Sequence, residues 1–236
     1  MARAPRILTV IPARGGSKGL PGKNVMPLAG LPLIGYPARL AQAHPGLQDV
    51  ILSTDDPAIA EVGRSLGIDV PFLRPADLAT DQASSVAMAR HAIAAMEQRT
   101  GVPYDALLLL QPTCPFTTPA QLAEALDLYA SGRYRFVGSM AEVVDQHPAY
   151  LLTQDRDGGV GRAFPDMQRE GPRQELQRFF MRTGNIYLTA RDSLMAEGRF
   201  IVDPATYVEV DRISAVNIND RLDFLVAEAV AAERAR

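Results

Sequence analysis

The chain contains no tryptophan, a single cysteine (Cys114) and three histidines (His44, His91 and His147) in 236 residues. A lone thiol excludes an internal disulfide, and the histidines lack metal-ligand spacing. No apolar run is long enough to cross a bilayer: Leu107 to Leu110 is cut short by Pro112 and reads as a buried strand, so no membrane partner is expected. A strong excess of one charge is also missing. The formal net charge is −3, with the cations gathered in a few loops instead of a stripe, which argues against a nucleic-acid partner. Met1-Ala2-Arg3-Ala4-Pro5 has no apolar signal core, and the cytoplasm is the expected compartment. What is present, 47% hydrophobic and 22% charged residues without an evident repeat, suits one globular domain over residues 1–236.

The most informative stretch is Leu8 to Asn24. An apolar, β-branched run stops at Pro12, and the segment that follows holds four glycines (15, 16, 19 and 22) and three cations, Arg14, Lys18 and Lys23. Glycines let backbone N–H groups turn toward an anion, and the cations oppose the charge of a polyphosphate. The spacing is not that of a Walker A loop, because Lys18 follows Ser17 and precedes Gly19, and no Gly-x-Gly-x-x-Gly run occurs.

Strand and helix patterns then alternate. A helix is expected from near Leu33, a strand from Asp49 into a polar turn, and a helix capped by Asp56 with Ala58, Ile59, Val62 and Leu66 on its apolar face. A short strand over Val70 to Arg74, a helix from Ser85 to Arg99, a strand from Asp105 to Leu110 and a helix from Pro119 to Ser131 follow. This rhythm argues for an α/β fold: a three-layer, mainly parallel, Rossmann-like sheet with ligand loops at the carboxyl ends of its strands. After Phe136 to Met140 the rhythm breaks, and residues 141–180 read as an extension from the core or a long surface loop. Order returns with strands at Ile186 to Leu188 and Thr206 to Val210 and a helix from Leu222 to Arg234.

Arg14-x-x-Ser17-Lys18-Gly19-x-Pro21-x-Lys23-Asn24 resembles the nucleotide-binding loop of the acylneuraminate cytidylyltransferases, and further matches extend to the last helix. The resemblance implies a nucleotidyltransferase fold, transfer of CMP from CTP to a nonulosonic (sialic-acid-like) acid with release of pyrophosphate, Mg²⁺ as cofactor, and a homodimer built by an arm at 141–180. It places Ala13, Arg14, Gly15, Ser17, Asn24, Arg74 and Ser84 at the nucleotide, with Arg14, Lys18 and Lys23 also serving catalysis. Ser84 has an equally good reading as a helix cap. Gln111-Pro112-Thr113-Cys114-Pro115 is similar to the family's Gln-Pro-Thr-Ser-Pro, and implies that Gln111 meets the acceptor sugar. Arg173, Gln174, Tyr187 and Phe200 match other acceptor positions, and the resemblance implies that the Arg173 guanidinium holds the acceptor's carboxylate in two places while Tyr187 forms a wall for the sugar. A cysteine nucleophile at 114 is conceivable but has no histidine near it in sequence, and a buried thiol is the favoured reading.

The departures from the family pattern are specific. Arg199 stands where the family has a second aromatic beside Phe200, and Ala149-Tyr150 follow His147-Pro148 in place of a lysine. The family's metal-holding Asp-Ile-Asp corresponds to Asn217-Ile218-Asn219, followed by Asp220 and Asp223. Asparagine offers a carbonyl oxygen without charge, so Mg²⁺ at Asn217, Asn219 and Asp220 is expected to arrive chiefly with the nucleotide. Asp220 is also a sound N-cap for the last helix. Alternatives that follow are a related transferase using another nucleotide or sugar acceptor, and a nucleotide-binding homologue without turnover.

Overall fold

The computed structural model describes residues 3–167 and 176–234. Its centre is a six-stranded sheet built from β1 (Ile7–Pro12), β4 (Asp49–Ser53), β5 (Ala106–Leu109), β6 (Phe136–Glu142), β9 (Phe180–Ala190) and β10 (Ala205–Glu209). The spatial order is β10-β6-β9-β5-β1-β4. Strand β1 runs parallel to β4 and β5, and β10 parallel to β6, while β9 is antiparallel to both of its neighbours. The sheet is therefore mainly parallel, with one reversed strand.

Alternation along the strands builds two apolar faces. Ile7, Ile11, Leu108 and Leu110 pack with Ala38 and Ala41 of α1 (Gly35–Gln42), Ile59 of α2 (Pro57–Ser65) and Leu122 and Ala125 of α4 (Pro119–Ala130). Leu8, Val10, Leu107 and Leu109 face the other way, onto Met88, Ala92 and Ile93 of α3 (Ser85–Thr100) and Leu194 of α5 (Arg191–Met195). The result is the three-layer arrangement expected of strands whose neighbours are reached through crossover helices. A third cluster seats α6 (Arg221–Arg234) through Phe224 and Ala227 against Leu28 and Leu33.

Local chemistry explains where the expectations and the structure part. Strands β2 (Pro27–Leu28) and β3 (Leu31–Pro32) form a minimal hairpin across Ala29 and Gly30, both at positive φ, so α1 starts at Gly35 and not at Leu33. Asp56 caps α2 by accepting from the Ala58 and Ile59 N–H groups, but Ala58 is exposed and Ala60 and Gly63 take its place on the buried face. The segment around Val70 to Arg74 makes only isolated bridges, Ile51 to Asp69 and Thr54 to Leu73, consistent with Pro71 having no N–H to donate. Thr118 and Gln121 cap α4 reciprocally. Strand β9 is far longer than Ile186 to Leu188, because its first residues continue the ladder with the outer end of β6.

Of the expected arm at 141–180, Ala141, Glu142 and Phe180 still belong to the sheet; beyond Glu142 the described residues leave it and carry a hairpin of β7 (Leu152–Gln154) and β8 (Val160–Arg162). Both strands of the hairpin are exposed throughout. At its root the buried His147 ring lies edge-on to Phe179 at 5.2 Å, and its Nε2 is 2.9 Å from the Gln177 carbonyl oxygen.

Candidate active site

In this sheet β4 and β5 lie on opposite sides of β1, so the chain reverses its direction of travel across the sheet between β1 and β5. Loops leaving the carboxyl ends of strands at such a reversal splay apart and open a crevice. Here the crevice is a cleft of about 570 Å³ that begins at Pro12 and Leu109 and is walled by the glycine-rich loop, the segment 74–88 and residues 111–113.

The glycine-rich loop is fixed from three sides. Ala13 extends the ladder by donating its N–H to Ser53, and Gly15 N–H donates to Asp55 Oδ1 at 3.1 Å. The buried Asn24 donates Nδ2 to the Arg14 carbonyl at 3.0 Å. Glycine is needed at 19 by proximity, since a Cβ there would stand 2.5 Å from the Asn219 carbonyl oxygen. Lys23 Nζ donates to the neighbouring Ile218 carbonyl at 3.1 Å. The loop is thus held against β4 and against the approach to α6 before any ligand arrives.

Two of its cations, Arg14 and Lys18, converge on one internal anion. Asp81 receives Arg14 Nη2 at 2.8 Å and Lys18 Nζ at 2.5 Å, and the Lys18 hydrogen bond leads the causes that hold its carboxyl below the usual range. Burial, with Arg14 next in importance, lowers the Lys23 ammonium from its ordinary value. Arg74 is only 7% exposed. Its Nη2 lies 3.7 Å from Asp55 Oδ1, and Nε and Nη2 make no hydrogen bond. A buried guanidinium with unused donors on the cleft wall is equipped to bind a polar ligand.

Arg14, Ser17, Lys18, Lys23, Asn24, Arg74 and Ser84 all line the cleft, together with Gln111 and Asn219. Ala13 and Gly15 shape the loop from behind. Ser84 serves both its readings: it lines the cleft, and its Oγ accepts from the Ala87 N–H as the N-cap of α3. Gln111 Oε1 accepts from Thr113 Oγ1 at 3.4 Å. Burial pushes the Cys114 thiol up to about 11, which keeps it protonated at neutral pH and unfit as a nucleophile.

Tyr187 and Phe200 do not line this cleft, but meet each other beside it with ring centroids 6.2 Å apart. Tyr187 is paired across the sheet with Leu109, which does line it. Arg173 and Gln174 lie outside the described residues.

At the proposed metal positions, Asn217 Oδ1 is buried without a hydrogen-bond partner, and Asn219 Nδ2 reaches only the Asn217 carbonyl at 3.4 Å. The two carboxylates that follow are engaged in starting α6. Asp220 Oδ1 accepts from the Asp223 N–H, and Asp223 Oδ2 accepts from the N–H groups of Asn219 and Asp220. Among the described residues no group of three His, Cys, Asp or Glu side chains could hold an ion. A neutral amide oxygen and two occupied carboxylates do not fit a divalent cation retained by the protein alone.

Residues 8–155 match the family model for cytidylyltransferases. The chain belongs to the cytidylyltransferase family. It is 31% identical over 229 residues to the CMP-N,N'-diacetyllegionaminic acid synthase of Legionella pneumophila, covering 94% of this chain and 95% of that one. It is 29% identical over 232 residues to the N-acylneuraminate cytidylyltransferase of Escherichia coli, covering 98% of this chain but 53% of the relative, so it spans about half of that protein's length. A solved structure of CMP:2-keto-3-deoxy-manno-octonic acid synthetase complexed with CTP shares the fold, with a TM-score of 0.72 at 18% identity, covering 97% of this chain and 99% of that one.

Two features of this cytidylyltransferase are not visible in its loop motif. Asp81 acts as the counter-ion of Arg14 and Lys18, a pairing with no local spacing to betray it. Asp55, which joins Gly15 to Arg74, could have been found from its place just beyond the carboxyl end of β4, where ligand-side residues of such sheets gather.

Proposed function

We propose that the enzyme transfers CMP from CTP to a nonulosonic acid. The acceptor's anomeric oxygen forms a bond to the α-phosphorus, the bond from that phosphorus to the bridging oxygen breaks, and pyrophosphate leaves with the electron pair. The hydroxyl proton passes to solvent. The observation that carries this reading is the convergence of Arg14, Lys18 and Lys23 on a cleft that Gln111 and Arg74 also line. Three cations there oppose charge that grows on the leaving group, and alignment with charge neutralisation is most of what phosphoryl transfer requires. The printed names of the Legionella and E. coli relatives support CMP activation of acids of the sialic type.

Mg²⁺ would arrive with the triphosphate, with Asn217 and Asn219 offering it only neutral oxygens, and would supply neutralisation of phosphate charge. The chain acts as a single domain whose arm at 141–180 pairs with a second copy, a reading supported by the exposed Leu151, Leu152, Val160 and Phe164. The cytoplasm is its proposed compartment, and among the described residues no helix is long and apolar enough to cross a membrane.

Pyrophosphate release from CTP, assayed with a panel of nonulosonic acids in Mg²⁺ and in Mn²⁺, tests the proposal. Release dependent on one such acid is expected. CTP binding without turnover on any acid would instead favour the non-catalytic reading, which the uncharged Asn217 and Asn219 specifically support.

A further inference from the structure

Beside the cleft, β9 carries an irregularity that places a cation where none would otherwise stand. Gly138 of β6 pairs with Tyr187, and Met140, two residues on, pairs with Arg182. Ser139 alone therefore faces the four residues 183–186. The buried Ser139 hydroxyl holds this bulge closed: its Oγ accepts from the Ile186 N–H at 3.0 Å and from Thr183 Oγ1 at 2.8 Å. Because Gly138 and Met140 lie on one face of β6, their partners Tyr187 and Arg182 share a face as well, although they are five residues apart. The Arg182 guanidinium lies 5.9 Å from the centre of the Tyr187 ring.

The surface beneath Arg182 is aromatic and contiguous with the nucleotide cleft. Tyr187 contacts Phe136 and Phe200, and Phe136 contacts Tyr207. Gly138 keeps this floor flat, since a Cβ there would come within 2.9 Å of the Phe136 and Tyr207 rings. On the other side Tyr187 pairs with Leu109 on the cleft wall, and Gly184 of the bulge approaches Gln111 closely enough that a Cβ would lie 3.4 Å from its Oε1. A polyhydroxylated ring lying on Tyr187 would thus have Gln111 at one edge and Arg182 at another.

Arg182 is exposed and hydrogen-bonds the Tyr187 side chain, but among the described residues it has no acidic partner to neutralise it. Arg178, at the approach to the same strand, is by contrast neutralised by Glu142 and Glu209.

Resting on the proposed function, we propose that Arg182 binds the carboxylate of the acceptor acid and so sets the requirement for an acidic sugar. A planar guanidinium standing on an aromatic ring loses little freedom on binding, and its forked donors match a carboxylate in two places. The bulge clasped by Ser139 positions it.

The test compares the unaltered enzyme with R182A and R182K. The Michaelis constant of the acid and the inhibition constant of its methyl ester, used as a competitor, are read by pyrophosphate release. R182A should raise the acid's constant about 10- to 100-fold, the loss expected of a charge-assisted hydrogen bond. The CTP constant and the ester's inhibition constant should stay unchanged, and R182K should recover part of the loss. An acid constant within about twofold of the unaltered enzyme overturns the assignment, as does an equal rise for acid and ester, which would mean that Arg182 only shapes the aromatic floor. Failure of the unaltered enzyme to use any acid overturns the proposed function, and this assignment with it.

Discussion

Replacing Gly19 by alanine tests whether the glycine-rich loop works by its exact seat. The new Cβ would lie 2.5 Å from the Asn219 carbonyl oxygen and 3.5 Å from its carbon. That is roughly an ångström short of ordinary contact, and the obstacle is backbone, which has no rotamer by which to step aside. The loop must therefore retreat from residues 217–219, carrying Lys18 and the path to Lys23 with it. Misplacement on this scale costs about 10²-fold in kcat/KM when the displaced groups align a reacting phosphate. Gly16 is the internal control. A methyl group added there would meet no atom within 4 Å, and its φ is not positive, so Gly16→Ala should leave kinetics unchanged and tend to raise stability by about 0.4–1 kcal/mol through the unfolded chain. The assay is pyrophosphate release against CTP concentration, with thermal melting to confirm folding. A folded Gly19→Ala enzyme with kinetics like those of Gly16→Ala would refute the reasoning.

If Lys23 opposes charge on the leaving pyrophosphate, as the proposed function has it, Lys23→Ala should lower kcat by about 10²–10³ while weakening CTP binding less; an unchanged kcat in a folded variant would remove Lys23 from the mechanism. Light scattering should report a homodimer, and Leu152→Asp with Val160→Asp should dissociate it; an unaltered protein that is monomeric at micromolar concentration and fully active would contradict the paired arm. Calorimetry should detect negligible Mg²⁺ binding without CTP and clear binding with it, and Asn217→Asp combined with Asn219→Asp should strengthen the metal dependence. Tight metal binding by the nucleotide-free protein would show that another carboxylate holds the ion.

What could be read from the sequence was whatever local chemistry decides. The buried strand that empties into a glycine-rich cationic loop, the Asp56 helix cap, the proline that opens α4 and the alternation of strand and helix all follow from neighbours within a few residues. What escaped depends on distant partners. The first three residues of β9 are exposed and have no strong strand pattern, and they are drawn into the ladder by β6. Asp81 has the local pattern of a capping residue, and only folding sets it beside Arg14 and Lys18. Tyr187 and Phe200 could be named from a family pattern, but only the sheet register shows that they adjoin the cleft without lining it.

The contact between Lys23 and the Ile218 carbonyl joins residues 195 positions apart, and Gly19 leans on the adjoining Asn219. The loop that would greet the nucleotide is encoded near the start of the chain, yet one of its walls is encoded next to α6. On the ribosome, the first strands and their loop emerge long before that wall exists, and closing so long a loop is among the later events of folding. Nucleotide affinity should therefore switch on late, when α6 docks on Leu28 and Leu33, so that acquisition of CTP binding during synthesis would serve as a clock for completion of the fold.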